Sequence, residues 1–260
     1  MKVFEHTVSE LYFGSEGERI YGKLYMPLGI ERPQLAIYAH EIGCTHSRAH
    51  SYAEHLASHG IAVFAPDFRG GGRHCRSDGD TTDMSVMTEV EDLERVVEFM
   101  RGNKDVDGER PIIIGASQGG FVAAIYAGRH PESVPALILL YPAFRIGDEM
   151  NEMKRAKGGI PDKMDLYGWI IIGSRYFTDV CDYDPYSETI NYTGPVLIIS
   201  GDSDIVVPKS VSEEAAARYA DAELHILPGA GHMFRGKYTE QAIVYIDDFL
   251  ERHGLLDAGR

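Results

Sequence analysis

Ile112-Ile113-Ile114-Gly115-Ala116-Ser117-Gln118-Gly119-Gly120 runs from a short apolar, β-branched segment into a glycine-rich turn, and helical spacing follows it. The pattern is G-x-S-x-G in a strand-turn-helix context. Small residues are required two before and two after the serine, because a sharp turn brings the strand and helix backbones together and a Cβ there would collide. Gly115 and Gly119 meet that requirement.

A serine hydroxyl is a weak nucleophile, so it needs a histidine base and an acid to orient that base. Downstream, Gly201-Asp202-Ser203-Asp204-Ile205-Val206-Val207-Pro208 follows an apolar strand pattern ending at Ser200, at the sheet edge where such an acid must sit. Asp204 is the better of its two carboxylates, because its offset to Val207-Pro208 matches a G-x-x-D-x-x-V-P pattern. Asp202 reads as a turn residue bonding its own backbone. Beyond Asp204 lie His225, His232 and His253. His225 is inside a strand pattern and His253 ends a helix. His232, in Gly229-Ala230-Gly231-His232-Met233, falls in a loop just past the last strand and is the expected base.

Outward from this core the rhythm is regular. Residues 35–39 are apolar, 46–59 have helical spacing with Ala49, Tyr52, Ala53 and Leu56 on one face, and 61–65 are apolar again, which makes a βαβ unit. The alternation predicts helices over 84–101, after Gly119, over 211–219 and over 238–252. Strands are predicted over 112–114, 136–141, 196–200 and 223–227. Two earlier β-type segments, 2–8 and 18–26, separated by Gly14 and Gly17, read as an antiparallel pair. The fold class is therefore α/β, with a mostly parallel central sheet covered by helices on both faces. Residues 142–193 break the rhythm as a long insertion of the kind that forms lids, so the expectation is one domain, 1–260, carrying a lid at 142–193.

The chain has 260 residues, 44% hydrophobic and 25% charged, with a net charge of −15. That balance excludes intrinsic disorder, and the acidic excess repels phosphate backbones and anionic lipid. The start lacks an export signal and no apolar run reaches the length of a membrane span, which points to the cytoplasm. Cys44, Cys75 and Cys181 form no C-x-x-C pair and read as free thiols. His46 and His50, and His55 and His59, are spaced i, i+4 but read as a polar helix face rather than a metal site.

Taken together these residues resemble the α/β-hydrolase superfamily along nearly the whole chain, and Asp67-Phe68-Arg69-Gly70-Gly71-Gly72 resembles its D-x-R-G-x-G turn. Four features are similar to bacterial cinnamoyl and feruloyl esterases. These are the Ser117 turn, Asp83-Met84-Ser85-Val86 leading to Glu89 and Glu91-Asp92, the lid-sized insertion, and Gly231-His232-Met233-Phe234. The resemblance implies an oxyanion hole from the backbone N–H groups of Gln118 and Ile42, the latter in His40-Glu41-Ile42-Gly43. Glu41 stands where that family has glycine, as in dienelactone hydrolases, and is expected beside the reaction centre as a substrate contact. Tyr176 and Asp148 are implied at the phenolic end of a lid pocket, with Trp169 as a further substrate contact. The insertion also holds Phe144, Tyr167, Phe177, Tyr183, Tyr186 and Tyr192, which line a pocket or simply pack the lid.

The expected activity is hydrolysis of carboxylic esters through an acyl-enzyme at Ser117, with hydroxycinnamate esters as the implied substrates. A general carboxylesterase, thioesterase or lactone hydrolase is the enzymatic alternative, and a non-catalytic ligand receptor on the same fold is the alternative of another class. No cofactor or metal is expected. The expected partner is a small-molecule ester rather than nucleic acid or membrane, and a homodimer is left open.

Overall fold

Gly14 and Gly17 adopt φ of +97° and +83°, a region glycine enters without steric cost, and the chain reverses there between strands β1 (His6–Phe13) and β2 (Ile20–Pro27). The computed structural model describes residues 3–166 and 168–256. Strand β1 starts later than the sequence pattern places it and continues to the turn, because its antiparallel ladder with β2 runs from His6↔Pro27 to Phe13↔Ile20.

The predicted alternation follows. Strand β3 (Gln34–Ala39), helix α1 (His50–Ser58), β4 (Ala62–Asp67), α2 (Val86–Arg101), β5 (Asp107–Ala116), α3 (Gln118–Arg129) and β6 (Leu137–Leu140) lead into the long excursion. Within it are α4 (Ile146–Lys157), the antiparallel pair β7 (Lys163–Leu166) and β8 (Ile170–Gly173), α5 (Ser174–Val180) and α6 (Tyr186–Thr189). The chain then returns through β9 (Val196–Gly201), α7 (Lys209–Arg218), β10 (Ala222–Leu227) and α8 (Lys237–Arg252). Among the described residues eight strands form one sheet in the order β1-β2-β4-β3-β5-β6-β9-β10. Only β2 runs against its neighbours; the pairs from β4 to β10 are parallel.

Both sheet faces are apolar because side chains alternate along each strand. On β5, Ile113 joins the core cluster shared with Val90, Leu93 and Val97 of α2 and Val122 of α3. Ile112 and Ile114 join the opposite cluster with Tyr52 and Leu56 of α1 and Ile246 and Phe249 of α8. Helix α2 starts at a capping box: Ser85 Oγ accepts from the Thr88 N–H at 3.2 Å, and Thr88 Oγ1 accepts from the Ser85 N–H at 2.8 Å. Asp92 of α2 accepts from Arg69 N at 2.7 Å and Arg69 Nε at 2.6 Å, so the Asp67–Gly72 turn, which resembles the superfamily's motif, is locked to α2.

The excursion is held to this frame by specific contacts. Ser85 Oγ donates to Asp179 Oδ2 at 2.6 Å, Thr81 Oγ1 donates to the Ile171 carbonyl at 2.6 Å, and Phe144 packs on Phe121 of α3 with ring centroids 5.5 Å apart. Among the described residues no helix is long and apolar enough to cross a membrane.

Parallel register brings one end of the sheet together. Ala39 pairs with Gly115, Ala116 with Leu140, Leu140 with Ile199, and Gly201 with Leu227. The loops after β3, β5, β6, β9 and β10 therefore emerge side by side along the carboxyl edge, where open α/β sheets bind ligands.

Candidate active site

Ser117 sits between β5 and α3 with φ +53° and ψ −119°, a conformation that costs a non-glycine residue about 1 to 3 kcal/mol and persists only where the surroundings enforce it. They do. A Cβ on Gly115 would overlap the Gly119 carbonyl oxygen, and one on Gly119 would overlap the carbonyl oxygens of Ala39 and His40. The helix thus packs backbone to backbone on the sheet, and the turn projects Ser117 at the amino end of α3, where the helix dipole favours negative charge.

His232 Nε2 lies 3.0 Å from Ser117 Oγ, and His232 Nδ1 lies 2.7 Å from Asp204 Oδ2. A carboxylate partner fixes the proton on Nδ1 and leaves Nε2 as acceptor for the serine hydroxyl. The other carboxylate oxygen, Asp204 Oδ1, accepts the N–H groups of Val206 at 2.9 Å and Val207 at 2.8 Å. Asp202 points elsewhere: it accepts from the Gly229 N–H at 2.7 Å and from Ser203 Oγ at 3.0 Å, pinning the turn between β9 and the β10 loop. Those hydrogen bonds hold its carboxyl below the usual range. The three residues expected to act together are together, on three separate loops.

Ser117 opens into a cleft of about 400 Å³, the open solvent at its mouth included, lined by Ile42, Gln118, Ala143, Ile146, Glu149, Met150, Leu166, Tyr176, Val206 and Val207. Ile42 and Gln118, the two expected oxyanion donors, thus flank the serine. The loop bearing Ile42 is anchored through His40. His40 is buried, accepts the Phe68 N–H on Nε2 at 3.1 Å, and donates from Nδ1 to the Glu41 carbonyl at 2.8 Å. Burial also lowers its pKa, so it is a neutral spacer. Tyr176 reaches the cleft as expected, and its hydroxyl donates to Gln118 Oε1.

Three expected substrate contacts are not there. Asp148 is exposed on the first turn of α4, paired with Arg145 Nε at 3.2 Å, because its side chain faces away from the apolar stripe that Ile146 and Met150 bury. Trp169 is 45% exposed at the β7–β8 turn and does not line the cleft; it lies against the oxyanion loop, where a Cβ on Gly43 would stand 3.4 Å from its Nε1. Glu41 is buried and turned away from the cleft, its Oε1 accepting from Arg48 and Tyr141. Of the remaining aromatic residues of the insertion, Phe144, Phe177, Tyr186 and Tyr192 are buried in the core cluster and Tyr183 packs against it, while Tyr167 lies outside the described residues.

The cleft's aliphatic wall, from Ile146, Met150, Leu166, Val206 and Val207, was not singled out from the sequence. Val206 and Val207 carried a signal, since they sit in the segment that distinguished Asp204. The histidines with i, i+4 spacing are otherwise engaged: His46 Nδ1 bonds Asp67 at 2.7 Å and His55 Nε2 bonds Asp247 at 2.8 Å. Burial pushes the Cys44 thiol up to about 12, which removes the thiolate that a reactive cysteine needs.

An eight-stranded, mostly parallel sheet with a serine, histidine and aspartate hydrogen-bonded at its carboxyl edge defines an α/β hydrolase of the serine type. Residues 32–170, more than half of the chain, match the model of the serine aminopeptidase, S33, family, and the chain belongs to that family. It is similar to a monoacylglycerol lipase of Mycolicibacterium smegmatis, 25% identical over 260 residues, covering 87% of this chain and 90% of that protein. An uncharacterized protein of Mycobacterium tuberculosis is 29% identical over 175 residues, covering 66% of this chain. The chain spans about half the length of that relative, 53%. Among solved structures, Est1E of Butyrivibrio proteoclasticus, determined with ferulic acid bound, superposes with a TM-score of 0.84 at 24% identity, covering 94% of this chain and 98% of that one. The family match and the shared fold agree with the hydrogen-bonded serine, histidine and aspartate at the carboxyl edge of the sheet.

Proposed function

We propose that this serine hydrolase is an esterase working through an acyl-enzyme on Ser117. The observation that carries the reading is the line of hydrogen bonds from Ser117 Oγ through His232 to Asp204, at 3.0 and 2.7 Å, opening on an apolar cleft. Ser117 Oγ attacks the ester carbonyl while its proton passes to His232 Nε2. The tetrahedral oxyanion accepts the N–H groups of Ile42 and Gln118. Its collapse breaks the bond to the alkoxide, which leaves with the proton from His232, and water repeats the sequence on the acyl-serine. Asp204 holds the imidazole tautomer and stabilises its charged form. Replacing Ser117 with alanine should abolish both fluorophosphonate labelling and ester turnover in a folded protein; retained labelling would refute the assignment.

The acyl group is proposed to be a hydroxycinnamate, covered by the insertion at 142–193 acting as a lid. In support, Ile146, Met150 and Leu166 give the cleft an apolar wall, and Tyr176 adds an aromatic ring to its lining whose hydroxyl oxygen can still accept a hydrogen bond. The likeness to Est1E, a structure holding ferulic acid, supports the same substrate class. A second reading, an aliphatic acyl ester, is favoured by a different observation: Tyr176 is the one aromatic residue lining the cleft among the described residues. The likeness to a monoacylglycerol lipase agrees with that reading. The two separate on kcat/KM for a methyl hydroxycinnamate and a short aliphatic ester. On the first reading the hydroxycinnamate is preferred, and Tyr176→Phe lowers its kcat/KM by roughly tenfold more than that of the aliphatic ester, the size expected for one hydrogen bond, the aliphatic ester reporting any loss through Gln118 that both substrates share. A wild-type preference for the aliphatic ester selects the second.

A further inference from the structure

Glu41 is a buried acid that the proposed mechanism does not use. Its side chain is 3% exposed, and Oε1 accepts from Arg48 Nε and Nη2, both at 3.2 Å, and from the Tyr141 hydroxyl at 2.9 Å. Around it are Tyr38 and Tyr52, whose hydroxyls have no hydrogen-bond partner among the described residues. Burial keeps the Tyr141 phenol far above its ordinary pKa, so it remains a donor.

The cluster touches both halves of the reaction centre. Glu41 immediately precedes Ile42, the oxyanion donor of the reading above, on which this inference rests. Tyr141 follows β6 with φ +39°, its N–H held by the Ile199 carbonyl at 2.7 Å. The edge of its ring meets the His232 imidazole at a centroid distance of 4.8 Å and Phe234 at 4.7 Å. A single carboxylate oxygen therefore spans the distance between the oxyanion loop and the ring that packs on the base. Burying an ion pair in a tyrosine-lined site rarely gains stability over well-packed apolar residues. What it adds is direction: three donors from two side chains converge on one oxygen, which apolar packing cannot specify.

We infer that Glu41, Arg48 and Tyr141 form a positioning unit that sets the oxyanion donor of Ile42 in register with the His232 imidazole, so that Glu41 acts on turnover through Tyr141 and its own backbone rather than by touching substrate. This position of Glu41 also explains how a carboxylate next to an oxyanion hole avoids opposing the developing charge: Arg48 compensates it.

The test uses Tyr141→Phe, which keeps the ion pair and removes only the bridging hydroxyl, and the double variant Glu41→Met with Arg48→Met, which replaces the pair by apolar volume. Tyr141→Phe should lower kcat about tenfold or more with KM near wild type, beside the drop of several degrees in melting temperature that one lost buried hydrogen bond to a charged group brings. The double variant should melt at or above the wild-type temperature yet stay slow, and adding Tyr141→Phe to it should cost nothing further. Wild-type kcat in Tyr141→Phe, full kcat in the folded double variant, or fully additive losses would each overturn the inference. If the double variant does not fold, the kcat and KM of Tyr141→Phe decide alone. Fluorophosphonate labelling of Ser117→Ala is run alongside: labelling there refutes Ser117 as nucleophile and takes this inference with it, whereas no labelling there with a wild-type-like Tyr141→Phe refutes this inference only.

Discussion

Two aspartates two positions apart differ in role because of what their oxygens meet. Asp204 gives one oxygen to His232 and the other to the Val206 and Val207 N–H groups, so its carboxylate cannot rotate without losing two backbone donors. Asp202 serves the Gly229 turn. Asp204→Asn should therefore reduce kcat by about 10⁴, the cost of the wrong imidazole tautomer in a serine-histidine-aspartate system, while Asp202→Asn should leave kcat within a few fold; steady-state rates on one ester rank them. That assignment was legible in the sequence because the Val207-Pro208 offset reports the same backbone donors. The direction of the Glu41 side chain was not, since its partners Arg48 and Tyr141 come from separate elements. Nor was the state of Glu89, which the sequence marks only as part of a motif on α2. It is fully buried, neither oxygen has a hydrogen-bond partner among the described residues, and desolvation pushes its carboxyl up to about 8. A folded-state pKa raised above the ordinary value of 4.5 means that the native protein keeps a proton the unfolded chain loses. Stability then falls as pH rises from about 4.5 towards about 8, by up to ~1.4 kcal/mol per pH unit from this group. Glu89→Gln should remove that slope. Denaturation at pH 5 and pH 8 should show the variant gaining on wild type at the higher pH, and a difference independent of pH would refute the neutral assignment.

Elements here are joined by close backbone approaches that side chains would block. Helix α3 lies against β3 so tightly that a methyl on Gly119 meets the carbonyls of Ala39 and His40, the residues leading into the oxyanion loop. Gly119→Ala should cost about 1 to 3 kcal/mol by overpacking, lowering the melting temperature by roughly 2 to 12 °C in a protein of this length. Because the displaced backbone is the loop that carries Ile42, kcat should drop more than the stability loss alone predicts; an active, stable alanine variant would mean that the turn relaxes. Ser85 joins elements differently, capping α2 and donating to Asp179 of α5. Its replacement by alanine should cost about 1 kcal/mol or somewhat more, since a cap and a cross-link are lost together, and a thermal melt unchanged from wild type would show that neither bond contributes. The sequence shows these elements through their period, and α1 to α3, α7 and α8 fall where the spacing puts them. It missed most of β1, whose alternation is blurred by Glu10 and Ser9 on an exposed edge strand. It also missed the contents of the excursion, where α5 and α6 are short, α4 buries only Ile146 and Met150, and the β7–β8 pair is anchored by contacts with residues 81 and 82.

At the scale of the molecule the excess of acid outlives any one contact. A net charge of −15 sets up a negative potential around the whole protein, and the cleft adds Glu149 to its lining. That excess disfavours nucleic acid and anionic membranes, and the same field acts on small substrates approaching Ser117. An ester bearing a free carboxylate, even one whose acyl group fits the aliphatic wall, meets a lower local concentration at the cleft than its neutral methyl ester does. Screening removes the difference: the Debye length falls from about 30 Å at 0.01 M ionic strength to about 8 Å at 0.15 M. Across that range kcat/KM for the anionic ester should rise several fold, kcat/KM for a neutral ester of the same acyl group should stay flat, and an ester carrying a quaternary ammonium should lose activity. Measuring the three in parallel separates the long-range field from any effect of salt on the fold, which would move all three together. If the anionic ester is flat or declines with salt, a local cation, with Arg145 at the start of α4 the first to examine, governs the cleft instead of the overall charge.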